Sequence, residues 1–397
     1  MKKIIHIVPS WPSKYRRYDC VFLYEQVKNL ALRSEYQYVV IVGYPIGWYI
    51  KNKIIWFLDK PLLIDLPNVK IHYFFYPNIF RFNRFFNKIA YFIIKKYFKI
   101  SIKNSANYLI HAHFLNIADF ALKLAKDFKA QFFLTEHTGK FSMYKELYQF
   151  SWDEVKNILK SSNQTIVVSP SLKNTITKLT NQKIGENISV IPNGIDLAKF
   201  FPLNRNNQTA PFKLLYIGNL LETKGVKVLL DAYLLISKEK TFHLSIIGDG
   251  DLLEYCNNFI LKNNLQEYVK IFGAIPNQEL PQIINQNHLL LLPSYSEGFG
   301  VVVIEAVSCG TPAIATACGG PEFIINDPSL GKIIPIGDVT ALAQAIENVR
   351  ANYDYNTLEM HNNMKERFGW EVIAQQILKK YDSFFIKRNL NEGFLEE

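Results

Sequence analysis

Two glutamates, Glu297 and Glu305, stand eight positions apart in SYSEGFGVVVIEAVSCGTPAIATACGGPEF, residues 294–323. Carboxylates accept hydrogen bonds from sugar hydroxyls. Eight residues of helix rise about 12 Å. The acid and base carboxylates of a glycoside hydrolase lie about 5–9.5 Å apart across one bond. A pair stretched along a helix therefore suits a long ligand with polar groups at both ends. Between the two lies the turn Gly298-Phe299-Gly300. Such a turn offers unpaired N–H groups and the positive end of a helix dipole to a phosphate. Hexose, diphosphate and ribose, the parts of a nucleotide sugar, follow that order. The plain alternative is two solvated glutamates at a helix end, since charged side chains are mostly exposed.

The elements that must position these groups are readable. HLLLLP, residues 288–293, has the length of a buried strand, and Gly310-Thr311-Pro312 stops the helix before AIAT begins the next strand. The result is a βαβ unit with its polar groups at the turn. Upstream, residues 213–217 form a strand, followed by GNLLETKG and a helix through Leu235. A strand–glycine–helix start is a second phosphate site in principle. Lys224 sits there, and a cation at a helix N-terminus is unfavourable without an anion. In the first half, KIIHIV, YLIHAH and QFFLT read as strands, the last running into Glu136-His137-Thr138-Gly139. Ligands of open α/β sheets gather at the carboxyl ends of strands, which singles out His137. His111 and His113 read as buried histidines held by neighbours, and the spacing HAH with no carboxylate pair is a poor metal site. Alternating strands and helices give an α/β class with a doubly wound parallel sheet in each half. Gly248-Asp249-Gly250 lacks the full dinucleotide fingerprint and its ribose acid, which argues against a dehydrogenase.

The run E-G-F-G-x4-E, then C-G-T-P-A-I-A-T and G-G-P-E, resembles the donor-site signature of the retaining GT-B glycosyltransferases of family 4. The likeness is strong over residues 190–381 and weak before Leu109. It implies two Rossmann-like domains facing across a cleft: residues 1–200 on the acceptor side, 201–370 on the donor side, and a C-terminal helix, 371–397, crossing back to the first domain. It implies a nucleoside-diphosphate sugar, UDP- or GDP-linked, as donor, with no metal and no cofactor. By the family pattern Glu297 holds the donor hexose and Glu305 the ribose. Gly298, Phe299 and Gly300 give backbone contacts, Lys224 neutralises the diphosphate beside Gly218, and His137 touches the sugar from the other domain. Two departures stand out. Asn219 replaces the arginine common after the first glycine, and the loop SWPSKYRRYDC lacks the usual glycines, leaving Lys14, Arg16 or Arg17 as phosphate ligands or giving the loop to the acceptor. An inactive sugar-nucleotide-binding subunit and a sugar-nucleotide epimerase are the competing readings. Donor binding without turnover would mark the first, and product from donor alone the second.

The chain has 397 residues, 49% of them hydrophobic, enough for two or three domains and against global disorder. Residues 1–200 carry 29 Lys and Arg against 13 Asp and Glu; the remainder carries 16 against 22. The halves are thus basic by 16 and acidic by 6, which points to different partners. No acid lies between Asp65 and Asp119, and residues 78–103 hold seven bases beside a phenylalanine-rich stripe. This stretch is either a core helix with a solvated basic face or a helix on an anionic membrane surface; no motif accompanies it that would indicate nucleic acid. No apolar run reaches the ~18 residues of a membrane span. Four cysteines without a CxxC pair and no leader pattern predict a cytoplasmic protein with a peripheral place on the inner membrane face. There a glycan or lipid-linked acceptor would be met, as in surface polysaccharide or lipopolysaccharide synthesis.

Overall fold

The computed structural model describes the chain except residues 1, 17–18, 46–58, 77–90, 93, 97, 100–106, 140–150, 181–186, 204–210, 238–240 and 394–397. It divides into two compact units. Residues 1–168, 173–191 and 373–397 form the first; residues 169–172 and 192–372 form the second.

The first unit contains β1 (Lys3–Val8), β2 (Gln37–Pro45), β3 (Val69–Tyr76), β4 (Tyr108–His113), β5 (Gln131–Glu136), β6 (Gln164–Val167) and β7 (Ile188–Val190). They form one sheet in the order β3-β2-β1-β4-β5-β6-β7, with every pair parallel. Parallel neighbours need long crossovers, which helices such as Val21–Leu32 and Ala118–Asp127 supply. The chain reverses direction of growth between β1 and β4. The C-terminal helix Trp370–Gly393 contributes its residues from Ile373 onward to this unit. There Tyr381 is fully buried, with its hydroxyl 2.6 Å from His111 Nδ1 and its ring 5.9 Å from Phe133.

The second unit contains β8 (Phe212–Ile217), β9 (Phe242–Ile247), β10 (Val269–Ile271), β11 (Leu289–Leu292), β12 (Ala313–Thr316) and β13 (Gly331–Ile334), in the order β10-β9-β8-β11-β12-β13. All pairs are again parallel. LLLL and AIAT are buried at every position, as strands covered on both faces must be. Helix Val226–Ile236 packs Val226, Leu229 and Leu230 against this sheet, each worth about 1.5–3 kcal/mol of burial.

Two expectations change. The glutamates do not share one helix. Helix Val301–Ser308 begins after Gly300, whose φ of 97° is left-handed, so only Glu305 is helical and Glu297 lies in the turn. Lys224 likewise precedes its helix. It closes a 3-10 turn, Glu222–Lys224, and Gly225 with φ 67° separates that turn from the α-helix. Of the expected membrane-facing stretch, residues 78–90, 93, 97 and 100–103 lie outside the described residues. In the remainder Ile94 and Phe98 are buried, Phe92 is 69% exposed, and Lys95 pairs with Asp127. Among the described residues no helix is long and apolar enough to cross a membrane, and the four cysteines are free thiols.

Candidate functional site

In an open parallel sheet, the strand order reverses at one point and leaves a crevice at the carboxyl ends of the strands there. In the second unit that point lies between β8 and β11, so the loops after Ile217 and Leu292 flank it. These are the two glycine-containing loops singled out by sequence. They are stitched together: Tyr295 N–H donates to the Thr223 carbonyl at 2.9 Å. A Cβ on Gly225 would lie 1.9 Å from the Pro293 carbonyl oxygen, so only glycine permits this approach.

The stitched loops bring two of the expected site residues into direct contact. Lys224 Nζ lies 2.6 Å from Glu297 Oε1, with the side chains 27% and 12% exposed. Ser294 Oγ donates to the same oxygen at 2.7 Å. The anion that a cation at this position requires is thus supplied from 73 residues away. Behind Glu297, the segment Cys318–Gly320 holds the turn through Gly320 N–H on the Glu297 carbonyl at 3.2 Å. Glu322 in turn fixes that segment by accepting from Gly319 N–H at 2.8 Å. A Cβ on Gly320 would meet the Phe299 backbone at 2.3 Å. Phe299 itself is 3% exposed, with its ring 5.5 Å from Phe368. Its side chain is therefore core, and only its backbone, with those of buried Gly298 and Gly300, can face a ligand. No side chain caps helix Val301–Ser308, so its first turn keeps N–H groups for an acceptor from outside.

Glu305 sits one turn into that helix and is 8% exposed. Asn277 Nδ2 donates to its Oε1 at 3.3 Å, and Lys199 bonds to the Asn277 carbonyl oxygen of the side chain. Burial pushes the Glu305 carboxyl up to about 7, against the pull of Lys199 and Asn277. Gly218 follows β8 with its N–H on the Ile247 carbonyl at 3.0 Å. Asn219 is exposed, and its backbone carbonyl accepts from the Tyr216 hydroxyl at 3.0 Å. The structure thus joins Lys224 with Glu297 directly and sets Glu305 in its own polar pocket.

His137 belongs to the first unit and follows β5. Its backbone is pinned by Glu136, a buried carboxylate that accepts from the N–H groups of Leu115, His137 and Thr138 at 2.7, 2.8 and 2.8 Å. Burial raises Glu136 to about 7 while these three bonds pull it back. The His137 ring lies 4.8 Å from Phe22 and 5.0 Å from Phe114. Its Nε2 is 3.3 Å from His113 Nδ1. His111 and His113 are both fully buried. Arg16 of the glycine-free loop pairs with Asp19, and Arg17 lies outside the described residues.

Sequence reasoning did not single out Ser294, Asn277, Lys199, Glu136 or Glu322. Ser294 and Glu322 lie within the signature, and Glu136 adjoins His137, so proximity was a usable signal for those three. Asn277 and Lys199 reach Glu305 only through the tertiary fold.

Comparison with known proteins agrees with this architecture. Residues 201–368 match the family model for glycosyl transferases group 1, and residues 54–199 match that for glycosyltransferase family 4. An uncharacterized glycosyltransferase of Methanocaldococcus jannaschii is 31% identical over 56% of this chain and 60% of its own length. A glycogen synthase of Mycobacterium tuberculosis is 28% identical over 69% of this chain and 68% of its own. Among solved structures, a sucrose-phosphate synthase of Thermosynechococcus elongatus superposes with a TM-score of 0.78 at 20% identity, covering 98% of this chain and all of that one. HepE of Anabaena, solved with UDP and glucose, gives 0.72 at 16% identity over 96% of this chain and all of its own. At these identities the structural likenesses establish the GT-B fold.

Proposed function

Because this chain belongs to the group 1, family 4 glycosyltransferases, we propose that it transfers a hexose-type sugar, with retention, from a UDP- or GDP-sugar to a glycan or lipid-linked acceptor. The observation that carries the reading is the Lys224–Glu297–Ser294 cluster at the strand-order reversal of the second unit. A diphosphate arriving there offers Lys224 more negative charge than one carboxylate does. Lys224 then neutralises the diphosphate, and Glu297 is released to accept hydrogen bonds from the hexose. The backbone N–H groups at Gly298–Gly300 meet the sugar and phosphate, Glu305 receives the ribose hydroxyls, and His137 is the sugar ligand of the first unit. In the reaction the bond from the anomeric carbon to the phosphate oxygen breaks and a bond to the acceptor oxygen forms. The acceptor's proton passes to the leaving diphosphate, so no protein carboxylate need act as base.

The test is a panel of UDP-, GDP- and ADP-sugars read by thermal shift, since a ligand that binds the folded state raises its stability. The anomeric configuration of the product is then read by NMR, with and without chelator. Turnover in chelator with a retained anomeric centre is the expected result. Inversion, or full loss restored by Mg²⁺ or Mn²⁺, would overturn the mechanism. The pair Asp249 and Asp251 is the spacing that such an ion would use, but Asp249 already accepts from Gly250 N–H at 2.7 Å within its turn.

Glu305 gives a pH expectation. Hydrogen bonds donated by ribose hydroxyls favour the charged carboxylate. Donor binding therefore lowers a carboxyl that stands at about 7 in the free protein. Binding near pH 6 releases a proton, and affinity rises with pH, by up to about tenfold per unit, levelling off above pH 7. Calorimetry in buffers of different ionisation heat measures the release, and Glu305→Gln should abolish it.

The acceptor reading extends to the membrane. Seven basic residues and no acid lie in residues 78–103, and each base at an anionic surface contributes about 1 kcal/mol. Flotation with anionic liposomes should be salt-sensitive and lost when Arg81, Arg84, Lys88 and Lys95 are changed to Glu. If the wild type fails to float, the membrane reading is wrong.

A further inference from the structure

Glu305 is tied to a cation through one amide. Asn277 Nδ2 donates to Glu305 Oε1 at 3.3 Å, and the Asn277 side-chain oxygen accepts from Lys199 Nζ. All three residues belong to the second unit. The short helix Leu280–Asn285 anchors both ends of this bridge. Ahead of it, Glu279 N–H donates to the Pro276 carbonyl at 2.9 Å and closes the turn that carries Asn277. At its end, the Asn285 side chain accepts from Leu203 N–H at 2.8 Å and donates to the Phe201 carbonyl at 3.0 Å. Phe200 is buried and sinks the same segment into the unit. Its ring lies 5.0 Å from Lys199 Nζ.

The two partners decide which way round the amide stands. An ammonium has donors only, and an ionised carboxylate has acceptors only. The Asn277 oxygen must therefore face Lys199 and its NH2 group must face Glu305; turned over, both contacts become repulsive. Removing the ammonium leaves the amide with one of these two contacts. Glu297 is held differently. Lys224 touches it directly at 2.6 Å, so a ligand must displace the lysine to reach that oxygen. The Asn277 amide takes one oxygen of Glu305, and Oε2 accepts from no group among the described residues. Nothing has to be displaced before a hydroxyl can donate there.

The charge of Lys199 also reaches the carboxyl. Helix Val301–Ser308 packs on helices Leu280–Asn285, Pro321–Ile324 and Thr357–Phe368 and on strands β11 and β12. The first of these helices and both strands carry no ionisable side chain. On the other two, Glu322 accepts from Gly319 N–H, His361 Nδ1 lies 2.8 Å from the Ser308 carbonyl, and Arg367 donates to the Ile324 carbonyl. Glu359, Lys365 and Glu366 are exposed. Burial raises the Glu305 carboxyl to about 7, and the pull of Lys199, then the Asn277 bond, opposes that rise.

We propose that Lys199 and Asn277 are positioning residues for donor binding: the ammonium fixes the Asn277 amide, and the amide holds Oε1 of Glu305, so that Oε2 is presented to a ribose hydroxyl. The bridge rests on the second unit's geometry alone. Its purpose rests on the reading above that Glu305 meets the ribose. Hydroxyls donate best to the charged carboxylate, and Lys199 favours that form from a distance at which it does not occupy the oxygens itself. Without Lys199 the carboxyl should titrate above 7. A rise of about one pH unit leaves about one carboxyl in eleven charged at pH 7, where the wild type has about half. Affinity for the nucleotide then falls about fivefold at pH 7 and by less than about twofold at pH 8.5.

The experiment has two arms, both on the full chain. The first follows the Glu305 carboxyl carbon by NMR against pH, with ¹³C-labelled glutamate and no nucleotide; the signal is assigned by its loss in Glu305→Gln. Lys199→Met should move the titration to higher pH, and Lys199→Arg, which keeps the charge, should restore it. Asn277→Leu cuts the bridge from the other side and should also move it upward. The second arm measures affinity for UDP and GDP, each against its 2′,3′-dideoxy form, at pH 7 and 8.5. The wild type should prefer the ribose form, Lys199→Met should show the fivefold loss at pH 7 that closes at pH 8.5, and Asn277→Leu should lose most of the preference. An unchanged Glu305 titration in folded Lys199→Met overturns the proposal. So does a full ribose preference in folded Asn277→Leu. If the titration moves but the wild type binds the dideoxy forms as tightly as their parents, the bridge's hold on the carboxyl stands and the reading of Glu305 as the ribose ligand is overturned.

Discussion

Glu297→Gln should cut turnover by about 10²-fold, the loss expected when a substrate-positioning group is displaced, while the protein stays folded. The amide keeps the shape of the side chain and can still accept from Ser294. It loses the charge that holds Lys224 at 2.6 Å. The pair is partly solvated, so its loss should cost about 1 kcal/mol of stability. A second consequence has the opposite sign. Lys224, no longer bound to a carboxylate, is free for phosphate, so the sugar-free nucleoside diphosphate should bind more tightly to the variant than to wild type. Lys224→Met should instead weaken both donor and diphosphate by about 10- to 100-fold, the worth of a hydrogen bond to a charged group. Because the two side chains touch, the double variant should be less impaired than the sum of the singles. Initial rates with a verified donor and calorimetry with the nucleoside diphosphate provide the readout. An unchanged rate in Glu297→Gln would end its assigned role. Weaker diphosphate binding in that variant would end the idea that it competes for Lys224.

Much of this arrangement is legible in the chain because it is local. LLLL and AIAT declare themselves as buried strands by length, apolar content and flanking breakers, and both are buried at every position. The glycine turns after β8 and β11 sit where a doubly wound sheet must open. What resists reading is long-range or conformational. Nothing near Lys224 names Glu297 as its partner, because the two stand 73 positions apart with three strands between them. Spacing alone put both glutamates on one helix; the left-handed Gly300 shortens that helix and frees Glu297. β13, only four residues long and carrying a lysine, gives no hydrophobic run to notice. The buried histidines of β1 and β4 are adjacent only because His6 and His111 share a register in the sheet, so the contacts of His113 with His6 and His137 exist only after folding.

The stitching of the two loops makes Gly225 a highly sensitive position of the donor site. Gly225→Ala should be severely destabilising, and Gly273→Ala only mildly so. The two glycines have nearly the same backbone, φ 67° and 70°. Each substitution therefore carries the same penalty of placing an L-residue in the left-handed region, about 1–2 kcal/mol. Their surroundings differ. Nothing lies within 4 Å of a Cβ built on Gly273, whereas on Gly225 it falls 1.9 Å from the Pro293 carbonyl oxygen and 2.7 Å from its carbon. Those are backbone atoms and have no rotamer to yield. The loops after β8 and β11 must separate, breaking the Tyr295–Thr223 bond and drawing Lys224 away from Glu297. Helix Val226–Ile236, which starts at Gly225, would be pulled from a core in which Val226, Leu229 and Leu230 are fully buried. The combined loss should exceed about 4 kcal/mol, the range of the most damaging single substitutions. That corresponds to a fall in Tm of more than about 10 °C for a unit of this size, against a few degrees for Gly273→Ala. Thermal unfolding of both variants with and without nucleoside diphosphate is the measurement. Similar losses in the two would mean that the close approach at Pro293 contributes nothing. If Gly225→Ala kept full diphosphate affinity, the stitched loops could not be what holds Lys224 in place.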